Sequence, residues 1–411
     1  MASTRVRYNG RTGEIFGLSL WVGFVTLVTF GMYRFWATTR VRRWFWSRIT
    51  IDGERLEYSG TGFELFIAFV KIAIVLAVVL IPLKLAKNFY GLSLMAAGII
   101  SFVNALFLGL LYVFAVYYAR RYRLTRTQWH GIRGNLVGSS LDYLKLNVGY
   151  LLLTLVTLGV AYPYYRIATR RYLLDHTWFG DQKFSCTARA RSLIGRWLIF
   201  LVVWLAFMGV FAFQVWDLER AQKGGLSSPI KGTGAPPFAW LLFLAIPVLS
   251  CLFISYRTAE FRVLADSFTF QNVRVSSGLS AWRILLFALK LCGAAALWLM
   301  ATAFLGMIAM KALTPILQAS LRGFGMAAVL PGGQVSPIIF LVLMIASIPA
   351  AFLFLLGGSV LMRLYYNGVL RRAVASLSFA GELEPGRIGQ TREPVPRWGE
   401  GLLEAFDFAG C

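Results

Sequence analysis

Acidic side chains are scarce in this chain: 18 Asp and Glu stand against 41 Lys and Arg, and there are only two histidines, His130 and His176. General acid–base chemistry and metal binding draw on carboxylates and imidazoles gathered at short spacing. The two histidines sit at matching places in two basic linkers, beside Trp129 and near Trp178, and neither has a carboxylate or cysteine cluster at ligand spacing. Cysteine is just as dispersed. Cys251 and Cys292 fall in apolar runs, Cys186 in a basic linker and Cys411 at the terminus, so neither a disulfide framework nor a thiolate metal site follows. The chain also lacks a phosphate-cradling loop, a nucleophile elbow, a metalloprotease helix and a haem-attachment pair. The expectation is therefore no enzyme, no metal and no cofactor. No cleavable leader is expected either: residues 1 to 14 are polar, and the first apolar run leads into Arg and Trp without a small-residue cleavage site. The N-terminus is expected to be retained.

What the chain has in excess is apolar surface. It is 58% hydrophobic, 15% aromatic and only 14% charged, with a mean hydropathy of +0.66, which is too apolar for a water-soluble globule of 411 residues. Runs of the length that spans a bilayer as helix occur at Leu65 to Leu83, Leu94 to Tyr118, Leu193 to Trp216, Phe238 to Ser255, Ile284 to Met310 and Ile338 to Leu361. Two further runs, Phe16 to Met32 and Tyr143 to Tyr165, each hold a glycine in a shared pattern, Leu27-Val28-Thr29-Phe30-Gly31 and Leu155-Val156-Thr157-Leu158-Gly159. The likeness continues through Arg42-Arg43-Trp44 against Arg170-Arg171-Tyr172, a spacing near 128 residues, for which duplication is the simplest explanation.

Charge counting orders these segments. Linkers 34 to 63, 119 to 142, 166 to 191 and 257 to 283 carry four to six Lys and Arg each, against two or three in connections 84 to 91, 217 to 235 and 311 to 335. Eight plain crossings would spread that bias over both sides. If the two Gly-interrupted runs dip in and return, every basic linker and both termini share one side, the cytoplasm. The expected fold is thus an all-α polytopic membrane protein with about six full transmembrane helices and two re-entrant or interfacial segments, eight spans being the alternative. Gly31, Gly159 and Pro163 mark the structural breaks.

Between spans a short β-prone unit recurs, at Arg48 to Gly53, Thr125 to Gly131, Asp175 to Gly180, Ser267 to Asn272 and Ser376 to Gly381; only Asp52-Gly53 is a strong hairpin signal. These read as short β-hairpin-like cytoplasmic linkers. The expected organisation is a first membrane repeat over 1–142, a second over 143–279, a third, partial repeat over 280–380, and a Pro/Gly-rich tail over 381–411 that ends in a short acidic amphipathic piece.

The stretches Gly53-Glu54-Arg55-Leu56-Glu57-Tyr58-Ser59-Gly60-Thr61-Gly62-Phe63-Glu64-Leu65-Phe66 and Leu155-Val156-Thr157-Leu158-Gly159-Val160-Ala161-Tyr162-Pro163 resemble the YjgN-like family of bacterial inner-membrane proteins, a domain of unknown function. The acidic ending Gly399 to Asp407 is similar to the tail of some members. One departure is Phe30-Gly31-Met32-Tyr33-Arg34-Phe35-Trp36, which lacks the proline usual there. The resemblance implies an inner-membrane location and a repeated layout, and no activity.

Within the spans the polar candidates are Lys71, Lys290 and Asn104. Each lysine sits well inside an apolar run, where a cation is costly unless it snorkels or finds a partner. One reading makes them an interior pair that binds an anion or lines a pathway, the other sends them to the headgroups. Glu64 suits the first turn of its span. Arg interleaved with Trp, Phe and Tyr over Tyr33 to Arg48 and Tyr117 to Arg126 suits helix ends lying in anionic headgroups, so the expected partner is the lipid bilayer and not nucleic acid. Two functions remain open: a small-solute or ion transporter or channel, with an unnamed solute, and a non-transporting scaffold or lipid-interacting protein.

Overall fold

The computed structural model describes residues 4–89, 93–223, 239–323 and 337–390. Its plan is one unit used five times: a strand, a helical hairpin, a strand, and a tight turn into the next unit. Strand β1 (Val6–Tyr8) leads into helices α1 (Thr12–Val28) and α2 (Arg34–Ser47) and on to β2 (Ile49–Ile51). After the turn, β3 (Glu54–Arg55) and β4 (Glu57–Tyr58) run almost continuously into α3 (Gly62–Phe89) and α4 (Leu94–Thr125), which return to β5 (Thr127–Trp129). The third unit is β6 (Ile132–Leu136), α5 (Ser140–Val156), α6 (Tyr162–Asp175) and β7 (Thr177–Phe179). The fourth is β8 (Gln182–Cys186), α7 (Ile194–Lys223), α8 (Ala239–Asp266) and β9 (Phe268–Phe270). The fifth is β10 (Val273–Ser277), α9 (Ala281–Gly323), α10 (Pro337–Ala375) and β11 (Leu377–Ala380).

Six of these helices, α3, α4 and α7 to α10, are long and apolar enough to cross a membrane, as the six runs in the sequence predict. The chain is a polytopic membrane protein. In α8 and α10 the helix continues past the apolar run to Asp266 and Ala375, carrying the basic residues with it.

The two Gly-interrupted segments are helical hairpins that leave the sheet and come back to it. β1 pairs with β2 (Tyr8 with Ile49) across the first hairpin, and β6 pairs with β7 (Leu136 with Thr177) across the other. Each outgoing helix has 17 residues, about 26 Å at 1.5 Å per residue, short of a hydrocarbon core of about 30 Å. The turns match bond for bond. Gly31 N donates to Thr26 O and Gly159 N to Thr154 O, both at 2.7 Å, and Thr29 Oγ1 and Thr157 Oγ1 each accept from the backbone N–H four residues on at 3.1 Å. Phe30 and Leu158 have φ of 49° and 48°, and Gly31 and Gly159 follow at 86° and 91°, the left-handed region in which glycine carries no Cβ penalty. Pro163 opens α6, where the missing N–H is no loss. The first hairpin makes the same turn without a proline. Phe30 is 98% exposed at its tip and Leu158 82% at the other, so each hairpin presents an apolar side chain at its turn.

The strands do more than the isolated hairpins expected of the linkers: they pair with one another in chain order. β1, β2 and β3 form one sheet and β4 through β11 an antiparallel sheet of eight strands. Leu56, between β3 and β4, donates its N–H to Ile49 O and joins the two. Thr4 N then donates to Gly381 O at 3.2 Å, and Leu383 N to Thr4 Oγ1 at 3.0 Å, so the residues flanking the first and last strands meet and the meander closes into a ring. Two-residue turns at 52–53, 130–131, 180–181 and 271–272 link the units; φ is positive at Asp52, His130, Gly180 and Gln271. The helices close as well, α1 packing against α10.

The core sits where helices meet the ring. Buried side chains concentrate at the ring-side ends: Leu65 and Ala68 of α3, Tyr117 and Tyr122 of α4, Leu193 and Trp197 around the start of α7, and Tyr256 and Ala259 of α8. Further out, the spanning helices present apolar faces such as Val78, Phe102, Val202 and Leu297 outward.

Candidate functional site

Inside the ring lies an apolar chamber of about 270 Å³. Alternation along the short strands builds it: Phe268 and Phe270 of β9 point in while Thr269 between them points out to bond Ser185 Oγ at 2.5 Å. β10 and β11 do the same, with Val273, Val275 and Phe379 lining the chamber and Ser276 and Ser378 paired outside at 2.7 Å. Val6, Ile51, Trp129, Phe179 and Phe184 complete the wall from β1, β2, β5, β7 and β8. The aromatic rings pack against one another, Phe184 at 4.4 Å from Phe270 and Trp129 at 5.9 Å from Phe179, centroid to centroid. One water needs roughly 10–15 Å³ and two to four polar partners. This space is far larger and offers almost no polar surface, so it suits hydrocarbon.

Residues 381–390 floor the chamber on the turn side. Leu383 and Ile388 pack into the aromatic cluster. Backbone groups and one side chain hold the segment by bonds to three turns: Asp181 N to Gly389 O at 3.2 Å and Gly389 N to Asp181 Oδ1 at 3.0 Å, the side-chain Gln390 Nε2 to Gly131 O at 2.8 Å, and Glu384 N to Gln271 Oε1 at 3.3 Å. The acidic segment beyond residue 390 lies outside the described residues.

The helix side of the ring is basic in a regular way. Each helix that descends into a strand carries an arginine four residues before its last: Arg43, Arg121, Arg171, Arg262 and Arg371 in α2, α4, α6, α8 and α10. Three carry another just before it, Arg42, Arg120 and Arg170. In α4 and α10 a further arginine, Arg123 or Arg372, sits in the last turn, where the carbonyl end of the helix dipole favours a cation. Arg42 is fully buried and its Nη1 lies 3.3 Å from Tyr58 Oη. Arg120 and Arg170 are half-buried and line a second space of about 340 Å³, between the ends of α4, α6 and α8 and the strands β9 to β11. Phe268, Val275 and Phe379 border both this space and the chamber. Burial, reinforced by the neighbouring Arg166 charge, pushes the Arg170 guanidinium below its ordinary value.

Beside it is a buried carboxylate. Glu260, 3% exposed, accepts from Arg166 Nη2 at 3.0 Å and from Arg257 Nη1 at 2.5 Å. On the other side of the ring Glu64, in the first turn of α3, accepts from Arg126 Nη2 and Tyr122 Oη, each at 2.8 Å.

Of the polar residues singled out in the sequence, Lys71 and Lys290 are exposed on α3 and α9 and line neither interior space. Asn104 is half-buried in α4, its Oδ1 without a hydrogen-bond partner among the described residues. His130 occupies a turn edge-on to Trp129, and His176 caps α6, stacked on Tyr172 at 4.1 Å with Nδ1 2.7 Å from Tyr172 O. The chamber and Glu260 were not foreseen; the pairs Arg42-Arg43 and Arg170-Arg171 were visible as a repeat and Arg120 as one of the headgroup-facing arginines, but no site was read from them. Alignment of the chain on its helix ends is the signal that finds the arginines.

The fold defines a multi-pass membrane protein whose linkers join into one β-ring. The chain belongs to a bacterial family of unknown function, DUF898, known as YjgN-like, whose profile matches residues 3–294. No curated protein and no solved structure matches it.

Proposed function

We propose that this protein binds lipid: it sits in the bacterial inner membrane with its β-ring and termini on the cytoplasmic side, and the ring takes up the apolar part of a membrane amphiphile. The observation that carries the reading is the apolar, aromatic-walled chamber of about 270 Å³ at the ring-side ends of the membrane helices. An apolar cavity of this kind is stabilised by hydrocarbon, since filling it restores the dispersion contacts its lining lacks. Support for the orientation comes from the basic linkers, which all feed the ring, so that Lys and Arg gather on one side. Internal duplication accounts for the matching bonds at the two hairpin tips.

The test is binding of N-phenyl-1-naphthylamine, a neutral apolar fluorophore, to the purified full chain in detergent micelles. Val275→Trp, which fills the chamber, abolishes the protein-dependent signal, and Val275→Ala, which enlarges it, keeps the signal. Thermal unfolding shows that both variants are folded. Equal binding by wild type and a folded Val275→Trp protein refutes the reading.

A further inference from the structure

We infer that Arg120 and Arg170 form the headgroup site of the chamber, and that the ligand is an anionic lipid, its phosphate on the two guanidinium groups and its chain among Phe268, Val275 and Phe379. This rests on the lipid-binding reading and adds the chemical class. Three observations converge on it. First, both arginines line the space of about 340 Å³ that shares Phe268, Val275 and Phe379 with the chamber, so a charged end and an apolar end meet across one wall. Second, the nearby carboxylate is already engaged, Glu260 being held by Arg166 and Arg257, and among the described residues neither Arg120 nor Arg170 has an ion-pair partner. Arg120 Nε is buried with no hydrogen-bond partner among those residues. Third, the local balance is one-sided: the charges that act on Arg120 are Arg123 and Arg170, and those on Arg170 are Arg166 and Arg257 against the one carboxylate, Glu260.

A buried donor left unmade is costly, and a planar guanidinium matches phosphate oxygens in pairs. Since Arg120 belongs to α4 and Arg170 to α6, an anion between them also ties two hairpins together at their bases. A neutral headgroup offers no net charge to offset theirs.

The experiment is native mass spectrometry of the full chain in detergent, titrated with dioctanoyl phosphatidylglycerol, dioctanoyl phosphatidylcholine or inorganic phosphate. N-phenyl-1-naphthylamine binding is read in parallel. Wild type is expected to prefer the phosphatidylglycerol roughly tenfold, the scale of one charge-assisted hydrogen bond. The double variant Arg120→Gln/Arg170→Gln loses the preference and keeps the fluorophore, and Arg120→Lys/Arg170→Lys retains most of the preference because the charge remains. Fluorophore binding with no preference in wild type, or with a preference that survives the double Gln change, overturns the headgroup site and leaves the chamber standing. Inorganic phosphate displacing the lipid at equal concentration overturns the lipid as occupant. Loss of both signals in wild type overturns the chamber reading itself.

Discussion

Glu260→Gln probes the site through its electrostatics. The carboxylate is 3% exposed and lies within 3.0 Å of Arg166 and 2.5 Å of Arg257, whose side chains are 19% and 41% exposed. Removing the negative charge leaves Arg166, Arg170 and Arg257 facing one another with nothing to neutralise them. Loss of one partner of a buried ion pair costs about 3–5 kcal/mol. Arg257 reaches solvent and can turn away, which places the expected loss near the lower limit, about 3 kcal/mol, or more than a hundredfold in the folding ratio. Arg257→Gln is the matched control. It removes the more exposed partner and leaves the Arg166 pair intact, so it costs about 1 kcal/mol. Reversible unfolding of the purified protein in mixed micelles, followed by tryptophan fluorescence, measures both. The double change Arg166→Gln/Glu260→Gln is less destabilised than the sum of its parts, because the cation stranded by the first change is gone. A Glu260→Gln loss below about 1 kcal/mol, or strict additivity in the double variant, would show that lipid or water already screens these charges and would refute the argument.

Three further outcomes are expected. Gly159→Ala and Gly31→Ala each destabilise by about 1–2 kcal/mol, the cost of a Cβ in the left-handed region, and to a similar extent, since a Cβ at 159 makes only ordinary contact with Leu201 at 3.4 Å and one at 31 meets nothing; thermal shifts well apart for the two would contradict this. The thiol of Cys186 is 2% exposed and burial raises its pKa, so at neutral pH it reacts with maleimide more slowly than a free thiol and speeds up as pH rises; equal rates for folded and unfolded protein would contradict this. Cysteines introduced at Arg55 and Lys183, on the turn side of the ring, are labelled from the cytoplasmic side only, and periplasmic labelling of either sinks the re-entrant hairpins.

The membrane helices were legible because their signal is local: some twenty apolar residues in succession, as from Leu94 to Tyr118, suffice to name a span. The five β-prone units were legible one at a time, Ile49-Thr50-Ile51 and Phe268-Thr269-Phe270 among them. Their closure was not. Ser185 meets Thr269 and Ser276 meets Ser378 across whole helical hairpins, and strands of three to five residues carry too few alternations to specify a partner that far away. The chamber was hidden for the same reason, since each strand contributes one or two inward side chains and only the ring assembles them. The intramembrane lysines drew attention because cations stand out in apolar runs. Arg120 and Arg170 were camouflaged by the many arginines around them, and Glu260 by its place near Arg257 and Arg262.

The bond from Thr4 N to Gly381 O also bears on synthesis. Thr4 and β1 leave the ribosome before the other strands, and Gly381, just past β11, emerges more than 350 residues later. Throughout that interval one edge of β1 has no strand to pair with, and an unpaired edge invites association with other chains. β1 is three residues long, and Arg5 and Arg7 lie on it or beside it. A strand this short and this charged is a poor template for such association.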